Sequence, residues 1–253
     1  MLKVILSGCC GHMGRVVTDM IKTEPDMEIV AGVDIADDAS LSYPVYTDLA
    51  DCAEEADVVI DFSTAAAIDS LLAGCEMKKL PVVLCTTGLS DAQLEKLQQV
   101  STMVPVLRSA NMSLGINLLM KLVQDAARAL YGADFDIEIV EQHHRRKLDA
   151  PSGTALALAD SINDALDHAC HYTFDRSQRH EKRDPEEIGI SAVRGGSIVG
   201  EHDVIFAGED EVVRISHSAY SRSIFAKGAI SAAKFLAGQK AGMYSMGDVI
   251  GGM

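Results

Sequence analysis

The chain has 253 residues, enough for one large domain or two modest ones, because single cores seldom grow past roughly 250 to 300 residues. Hydrophobic residues make up 48% and charged residues 23%, ordinary globular usage that excludes a disordered chain or a disulfide miniprotein. Lys and Arg total 22 against 37 Asp and Glu, a net charge of −15, which speaks against nonspecific binding to nucleic acid or to an anionic membrane.

The first expected strand begins at Leu2 with no basic segment or cleavable apolar stretch before it, so no secretory leader is expected. No apolar run approaches the roughly 18 residues of a membrane span. The six cysteines (Cys9, Cys10, Cys52, Cys75, Cys85, Cys170) lack paired CxxC spacing and lie in or beside apolar segments or a glycine turn. Reduced thiols in a cytoplasmic protein are the simpler reading. His168, Cys170 and His171 also lack two-pair spacing and read as a helix end, so no metal site is expected.

In chain order, Lys3 to Ser7 reads as a strand, followed by a glycine turn and a helical stripe at Met13, Val16, Val17, Met20 and Ile21. Glu28 to Asp34 and Asp57 to Phe62 read as strands, Ala65 to Lys78 as a helix, and Pro81 to Cys85 as a strand. Ser90 offers an N-cap with Gln93 at the third helical position, opening a helix to about Val100, before a strand at Val104 to Leu107. These alternating units predict a Rossmann-like, doubly wound parallel sheet.

Beyond it, Leu114 to Leu130 has the stripe of a long helix, Phe135 to His144 alternates as a strand, and Thr154 to Ala169 reads as a helix. The charged stretch His171 to Glu187 reads as a mobile solvated loop. Strand candidates at Ile188 to Val193, His202 to Ala207 and Val212 to His217 then run consecutively, before a helix at Ile224 to Leu236. The expected organisation is a dinucleotide-binding domain over 1–112 and 223–253, with an inserted α+β substrate and oligomerisation domain over 113–222. The flanking segments are expected to serve as hinges.

Gly8-Cys9-Cys10-Gly11-His12-Met13-Gly14 follows a strand and opens a helix, where a dinucleotide fold places its phosphate turn. The first glycine permits the tight turn, the second lets the pyrophosphate approach, and the third lets helix and sheet pack closely. A purely structural turn is the alternative. Asp34 lies 20 residues past Gly14, where an acid binds an adenosine ribose. It would repel a 2′-phosphate, and Ile35, Ala36, Asp37 and Asp38 supply no offsetting cation. Even a screened repulsion of about 1 kcal/mol favours NADH over NADPH by roughly fivefold, leaving NADPH possible.

Glu141-Gln142-His143-His144-Arg145-Arg146-Lys147-Leu148-Asp149-Ala150-Pro151-Ser152-Gly153-Thr154 is a cationic strand end running into a helix start. Strand alternation would send His143 and Arg145 to one face and Gln142 and His144 to the other. Ser152, Gly153 and Thr154 at a helix N-terminus offer amides and hydroxyls to a carboxylate. Charge runs are ordinarily solvated faces, so both readings stay open on composition.

Gly8-x-x-Gly11-x-Met13-Gly14-Arg15, Thr86-Thr87-Gly88, Asn111-x-Ser113-x-Gly115-x-Asn117 and His143-His144-Arg145-x-Lys147-x-Asp149-Ala150-Pro151-Ser152-Gly153-Thr154-Ala155 resemble the dihydrodipicolinate reductase family. So do Arg194-Gly195-Gly196, Gly200-Glu201-His202 and Ser221-Arg222, in the same order over almost the whole chain. The resemblance implies NAD(P)H-dependent reduction of 4-hydroxy-tetrahydrodipicolinate to tetrahydrodipicolinate with loss of water, in lysine biosynthesis through diaminopimelate. It implies that His143 and Lys147 are catalytic, Lys147 the stronger candidate for giving the proton, and that His144, Ser152, Gly153, Thr154 and Arg222 bind substrate. On the cofactor side it implies Gly8, Cys9, Cys10, Gly11, His12, Met13 and Asp34, then Cys85, Thr86 and Thr87, then Ser109, Ala110, Asn111 and Met112. It further implies a homotetramer.

The chain departs from the family at His12, usually Arg or Lys, at Cys85, usually Gly, at Met112, usually Phe, and at Arg146, where His is common. Two rivals share part of the pattern. Another nicotinamide-dependent dehydrogenase would not need the His143 to Thr154 block, and a non-enzymatic NADH sensor would need an effector surface and usually a DNA-binding module, against which the charge of −15 and the lack of a helix-turn-helix signal speak.

Overall fold

A computed structural model describes residues 1–36 and 38–252. The chain forms two compact units, Met1–Ser113 with Ser223–Met253, and Leu114–Arg222. Strands β1 (Leu2–Ser7), β2 (Met27–Val33), β3 (Val45–Tyr46), β4 (Val58–Asp61), β5 (Val82–Leu84) and β6 (Pro105–Arg108) belong to the first unit. The second unit holds β7 (Asp136–His143), β8 (His171–Phe174), β9 (Glu187–Arg194), β10 (Gly200–Ala207) and β11 (Val212–Ala219), and β12 (Gly242–Tyr244) returns to the first. The helices are α1 (His12–Ile21), α2 (Ile68–Lys78), α3 (Asp91–Ser101), α4 (Leu114–Leu130), α5 (Gly153–Ala165), α6 (Ser223–Leu236) and α7 (Met246–Gly251). None of the described helices is long and apolar enough to cross a membrane.

The first unit is built on a seven-stranded sheet in the order β12-β6-β5-β4-β1-β2-β3. Every pairing is parallel. Helices on a parallel sheet bury its strands on both faces, so these strands read as continuous apolar runs rather than alternations. Val4, Ile5 and Leu6 of β1, Val58, Val59 and Ile60 of β4, and Val82 and Val83 of β5 are fully buried. This is the doubly wound Rossmann-like sheet expected from the alternating elements. The Ser90 and Gln93 capping box of α3 also forms in both directions.

The second unit has a five-stranded mixed sheet in the order β11-β10-β7-β9-β8. Ile137 and Ile139 of β7 point to one face with Val204 and Phe206 of β10, and meet Leu119 and Val123 of α4 and Leu158 and Ile162 of α5 in one core. On β7 the next inward position after Ile139 is Glu141, which is fully buried. An apolar face therefore ends in an acid.

The stretch expected as a solvated loop is corrected by the structure, because β8 lies within it and pairs in parallel with β9. Glu187 and Thr173 are buried, and Arg183 bonds Asp136 at 2.8 Å and Glu138 at 3.0 Å while donating to backbone carbonyls. Its charges fasten the stretch to β7 and β9. The two- and three-residue strands β3 and β12 and the six-residue α7 escape a pattern search because they are shorter than one period window.

Candidate active site

Strand order reverses between β1 and β4, so the crevice of the first unit opens beyond their carboxyl ends. Gly8 leaves β1 with φ +75°, and a β-carbon there would lie 2.5 Å from the Phe62 carbonyl oxygen. A β-carbon on Gly14 would lie 2.2 Å from the Gly8 carbonyl oxygen. Both positions thus require glycine on steric grounds. Gly11 caps α1 with no side-chain hydrogen bond, which leaves the opening amides of the helix to an incoming anion. His12 is exposed beside it and Met13 is half-buried.

Asp34 follows β2 directly and pins the turn from outside: it accepts the Cys10 amide at 2.9 Å and the Ala36 amide at 3.1 Å. Cys9 is buried with its sulfur packed on Gly32, and Cys10 is half-buried with its sulfur 3.9 Å from that of Cys9. Arg15 of α1 donates to the Cys10 carbonyl at 3.2 Å and pairs with Asp38 at 2.5 Å. The cation of this stretch comes from α1, whose Arg15 pairs with Asp38. Asp37 lies outside the described residues.

Beyond β5, Cys85 is half-buried and its thiol is pushed well above the usual range by burial, then by the charge of Asp61. Thr86 donates to the buried Asp61 carboxylate at 2.6 Å, and Thr87 is exposed. Asp61 also accepts the Ser63 amide at 3.1 Å, and the buried Ser63 hydroxyl has no partner among the described residues. Asp61, Phe62 and Ser63 were missed by sequence reasoning. The available signal was their place at the end of the strand that neighbours β1.

Past β6, Ser109 accepts the Met246 amide at 3.3 Å, Ala110 is exposed, and Asn111 accepts the Ser113 amide at 2.8 Å. Met112 is buried, with its carbonyl oxygen 1.7 Å from where a β-carbon on Gly228 would sit, so α6 packs directly on this backbone.

In the second unit β7 ends at His143, so strand alternation does not reach Arg145, which lies in the following turn. Glu141 organises the site. Its Oε2 lies 2.7 Å from His143 Nδ1, and Arg194 grips both oxygens at 2.6 and 2.7 Å. Its Oε1 also accepts the Ser152 amide at 2.8 Å, which ties the start of α5 to the end of β7. Burial alone would raise the Glu141 pKa, but hydrogen bonds from Arg194, His143 and Ser152 outweigh it and hold the carboxyl below its usual value.

With Nδ1 given to Glu141, the free chemistry of His143 is at Nε2, the ring atom that faces Gly200. A β-carbon at Gly200 would sit 3.0 Å from it. His202 meets His143 edge-on at 5.2 Å between ring centres and lies 3.0 Å from the Ser152 hydroxyl. Burial, reinforced by His143, pushes His202 down to about 4, so this ring is neutral at pH 7.

Ser152 is buried, and its hydroxyl caps α5 by accepting the Ala155 amide at 3.2 Å. That corrects the expectation of an open hydroxyl for a ligand. Gly153 is exposed and Thr154 half-buried in the first turn of α5. Lys147 pairs with Asp149 at 2.9 Å, and its amide donates to the His144 carbonyl at 3.1 Å. His144 is half-buried with Nδ1 unpartnered among the described residues, and Arg222 is exposed on the segment entering α6.

Glu141, Arg194 and His202 were not singled out as site residues in the sequence. An acid continuing the inward positions of Ile137 and Ile139 was the available signal.

A glycine turn of this form at the switch point of a parallel sheet places the first unit among nicotinamide-nucleotide-binding domains, and the chain among the oxidoreductases that use them. The family model described as dihydrodipicolinate reductase, N-terminus, matches residues 2–112, and that described as dihydrodipicolinate reductase, C-terminus, matches residues 115–250. A 4-hydroxy-tetrahydrodipicolinate reductase of Caldanaerobacter subterraneus is 55% identical over 99% of this chain and 98% of the relative. One of Clostridium tetani is 49% identical over 97% and 96%. Among solved structures, the dipicolinate-bound dihydrodipicolinate reductase of Paenisporosarcina superposes with a TM-score of 0.84 at 26% identity, covering 98% of this chain and 99% of that one. The chain belongs to the dihydrodipicolinate reductase family. A diaminopimelate dehydrogenase of C. glutamicum, at 15% identity and a TM-score of 0.56, shares the fold.

Proposed function

We propose that the protein reduces 4-hydroxy-tetrahydrodipicolinate to tetrahydrodipicolinate with loss of water, using NAD(P)H, in the diaminopimelate route to lysine. The observation that carries this reading is that both family models match, together spanning the chain from residue 2 to residue 250. The steric demands at Gly8 and Gly14 and the uncapped start of α1 fit a pyrophosphate. Gly8 to Met13 would hold it, Asp34 the ribose, and the segments 85–87 and 109–112 the nicotinamide end. The bound nicotinamide supplies a hydride.

Negative charge that develops on the substrate as hydride adds to a conjugated imine must be met by an acid. Lys147 is the proton donor in this reading, its ammonium resting on Asp149 until a substrate carboxylate takes that place. His143 receives a fixed tautomer from Glu141, so it orients the substrate through Nε2. His144, Gly153, Thr154 and Arg222 bind carboxylate, the α5 amides adding their dipole. Ser152 acts by holding α5 in place.

NADH is the preferred cofactor here. Asp34 meets the ribose hydroxyls, and Arg15, the cation that could receive a 2′-phosphate, is held by Asp38. The sheet face of the second unit that turns away from α4 and α5 includes Val140, Ile205, Val193 and Val212, the last two exposed. These apolar residues share that face with Glu138, Gln142, Asp203 and Arg214; membership of the family supports a homotetramer, and the biosynthetic role supports a cytoplasmic one.

The test follows nicotinamide absorbance as the protein receives freshly condensed pyruvate and aspartate semialdehyde with either cofactor. Oxidation that depends on the condensation product is expected, faster with NADH. NADH binding without oxidation of either cofactor would overturn the named reaction. Lys147→Ala should lower kcat by about a hundredfold or more and leave NADH binding intact. Unchanged turnover would take the proton from Lys147.

A further inference from the structure

We infer that the Cys9–Cys10 pair and Asp34 form a binding site for a thiophilic divalent cation such as zinc or cadmium, and that this cation and the nucleotide exclude each other. One ligand atom from each of the three residues lies within 4.8 Å of the other two. The sulfurs are 3.9 Å apart, and a tetrahedral ion with metal–sulfur bonds of about 2.3 Å needs them about 3.8 Å apart. The pair is therefore already at the edge length of such a site.

The same geometry disfavours a disulfide. Neighbouring residues across a trans peptide hold their Cα atoms about 3.8 Å apart, whereas disulfides seldom form below about 4.4 Å. A bridging ion asks for no such contraction. Asp34 is also oriented for the role, because the Cys10 and Ala36 amides fix its carboxylate. Two thiolates and a carboxylate are a borderline-soft donor set that suits zinc and cadmium rather than magnesium or calcium.

Coordination forms two sulfur–metal bonds and sends two thiol protons to solvent, with no change of oxidation state. Because the thiols give up protons on coordination, affinity climbs with pH. Two thiolates, one carboxylate and a divalent ion leave one net negative charge. That charge, and the movement of Cys10 onto an ion, would close the turn to a pyrophosphate. The exclusion rests on the proposed cofactor reading, whereas the thiol site does not.

The test titrates the reduced full-length chain with cadmium, without nucleotide, and follows the thiolate-to-cadmium charge-transfer absorption. One cadmium per chain is expected, with the half-buried Cys10 protected from alkylation while the half-buried Cys85 is unchanged. Cys10→Ser should weaken binding by more than the roughly tenfold that outer-shell changes cost. The alkylation map keeps the test decisive if the variant fails to fold. No absorption band, or a band with Cys10 still reactive, would overturn the site. Saturating NADH, with its own binding followed by fluorescence, should release the cadmium. Retention of both ligands would overturn the exclusion, and NADH that fails to bind the metal-free chain would instead overturn the cofactor reading.

Discussion

The two functional regions are made by different means. The turn at Gly8 to Gly14 is built from backbone: its shape follows from what a β-carbon would strike, and its attraction for anions from amides left open at the start of α1. The region around His143 is built from side chains, with Glu141 joining a strand end, an arginine, an imidazole and a helix start. A backbone-built site tolerates side-chain variety, and Cys9, Cys10 and His12 stand in it. A side-chain network instead fails when any one partner is removed, because the others are left buried and unsatisfied.

The largest effect that sharpens this contrast should come from Glu141→Gln. It removes the charge of a fully buried carboxylate that the half-buried Arg194 grips with both nitrogens and should cost about 3 to 5 kcal/mol, read as a fall in the denaturant midpoint. A loss below about 1 kcal/mol would show that solvent already carries the Arg194 charge. His202 gives the next largest. Its folded value of about 4 lies below the ordinary 6.5, so the unfolded chain binds the extra proton between these values. Stability from this group is complete above pH 6.5 and is lost as pH falls to 4, by an amount on the order of 3 kcal/mol. Chemical denaturation across that window, compared with His202→Asn, should show the variant to be flatter.

In the backbone-built region, Gly14→Ala forces a methyl onto the Gly8 carbonyl and should cost about 1 to 3 kcal/mol together with most NADH affinity. Melting and nucleotide titration on one sample check this, and a variant that binds NADH normally would break the steric account of the turn. The smallest effect is expected at Asp34→Ala, which removes the repulsion of a 2′-phosphate and should erase a preference of roughly fivefold in kcat/KM between the cofactors.

The contrast also governs what could be read without coordinates. Gly8, Gly11 and Gly14 announce themselves because glycine spacing between a strand and a helix has few other uses, and the Ser90 and Gln93 cap is legible because it is local. Arg15 is different: its contacts with the Cys10 carbonyl and with Asp38 depend on how α1 lies beside the segment that follows β2, which the sequence order hides. Glu141 and Arg194 lie on neighbouring strands far apart in the chain, and only the β7–β9 register, with His143 opposite Arg194, brings them together. The 171–187 stretch misled because its charges are read as solvated until Asp136 and Glu138 are found facing Arg183.

The bond from the Ser152 amide to Glu141 has a further consequence. It closes residues 141 to 152 into a hydrogen-bonded ring, and Lys147 lies midway round that ring. A chain segment fastened at both ends has fewer conformations to surrender than a free loop of equal length, and that loss falls during folding rather than at each encounter with substrate. Lys147 is thus presented on a stretch whose entropy has already been spent, by a carboxylate that never touches it.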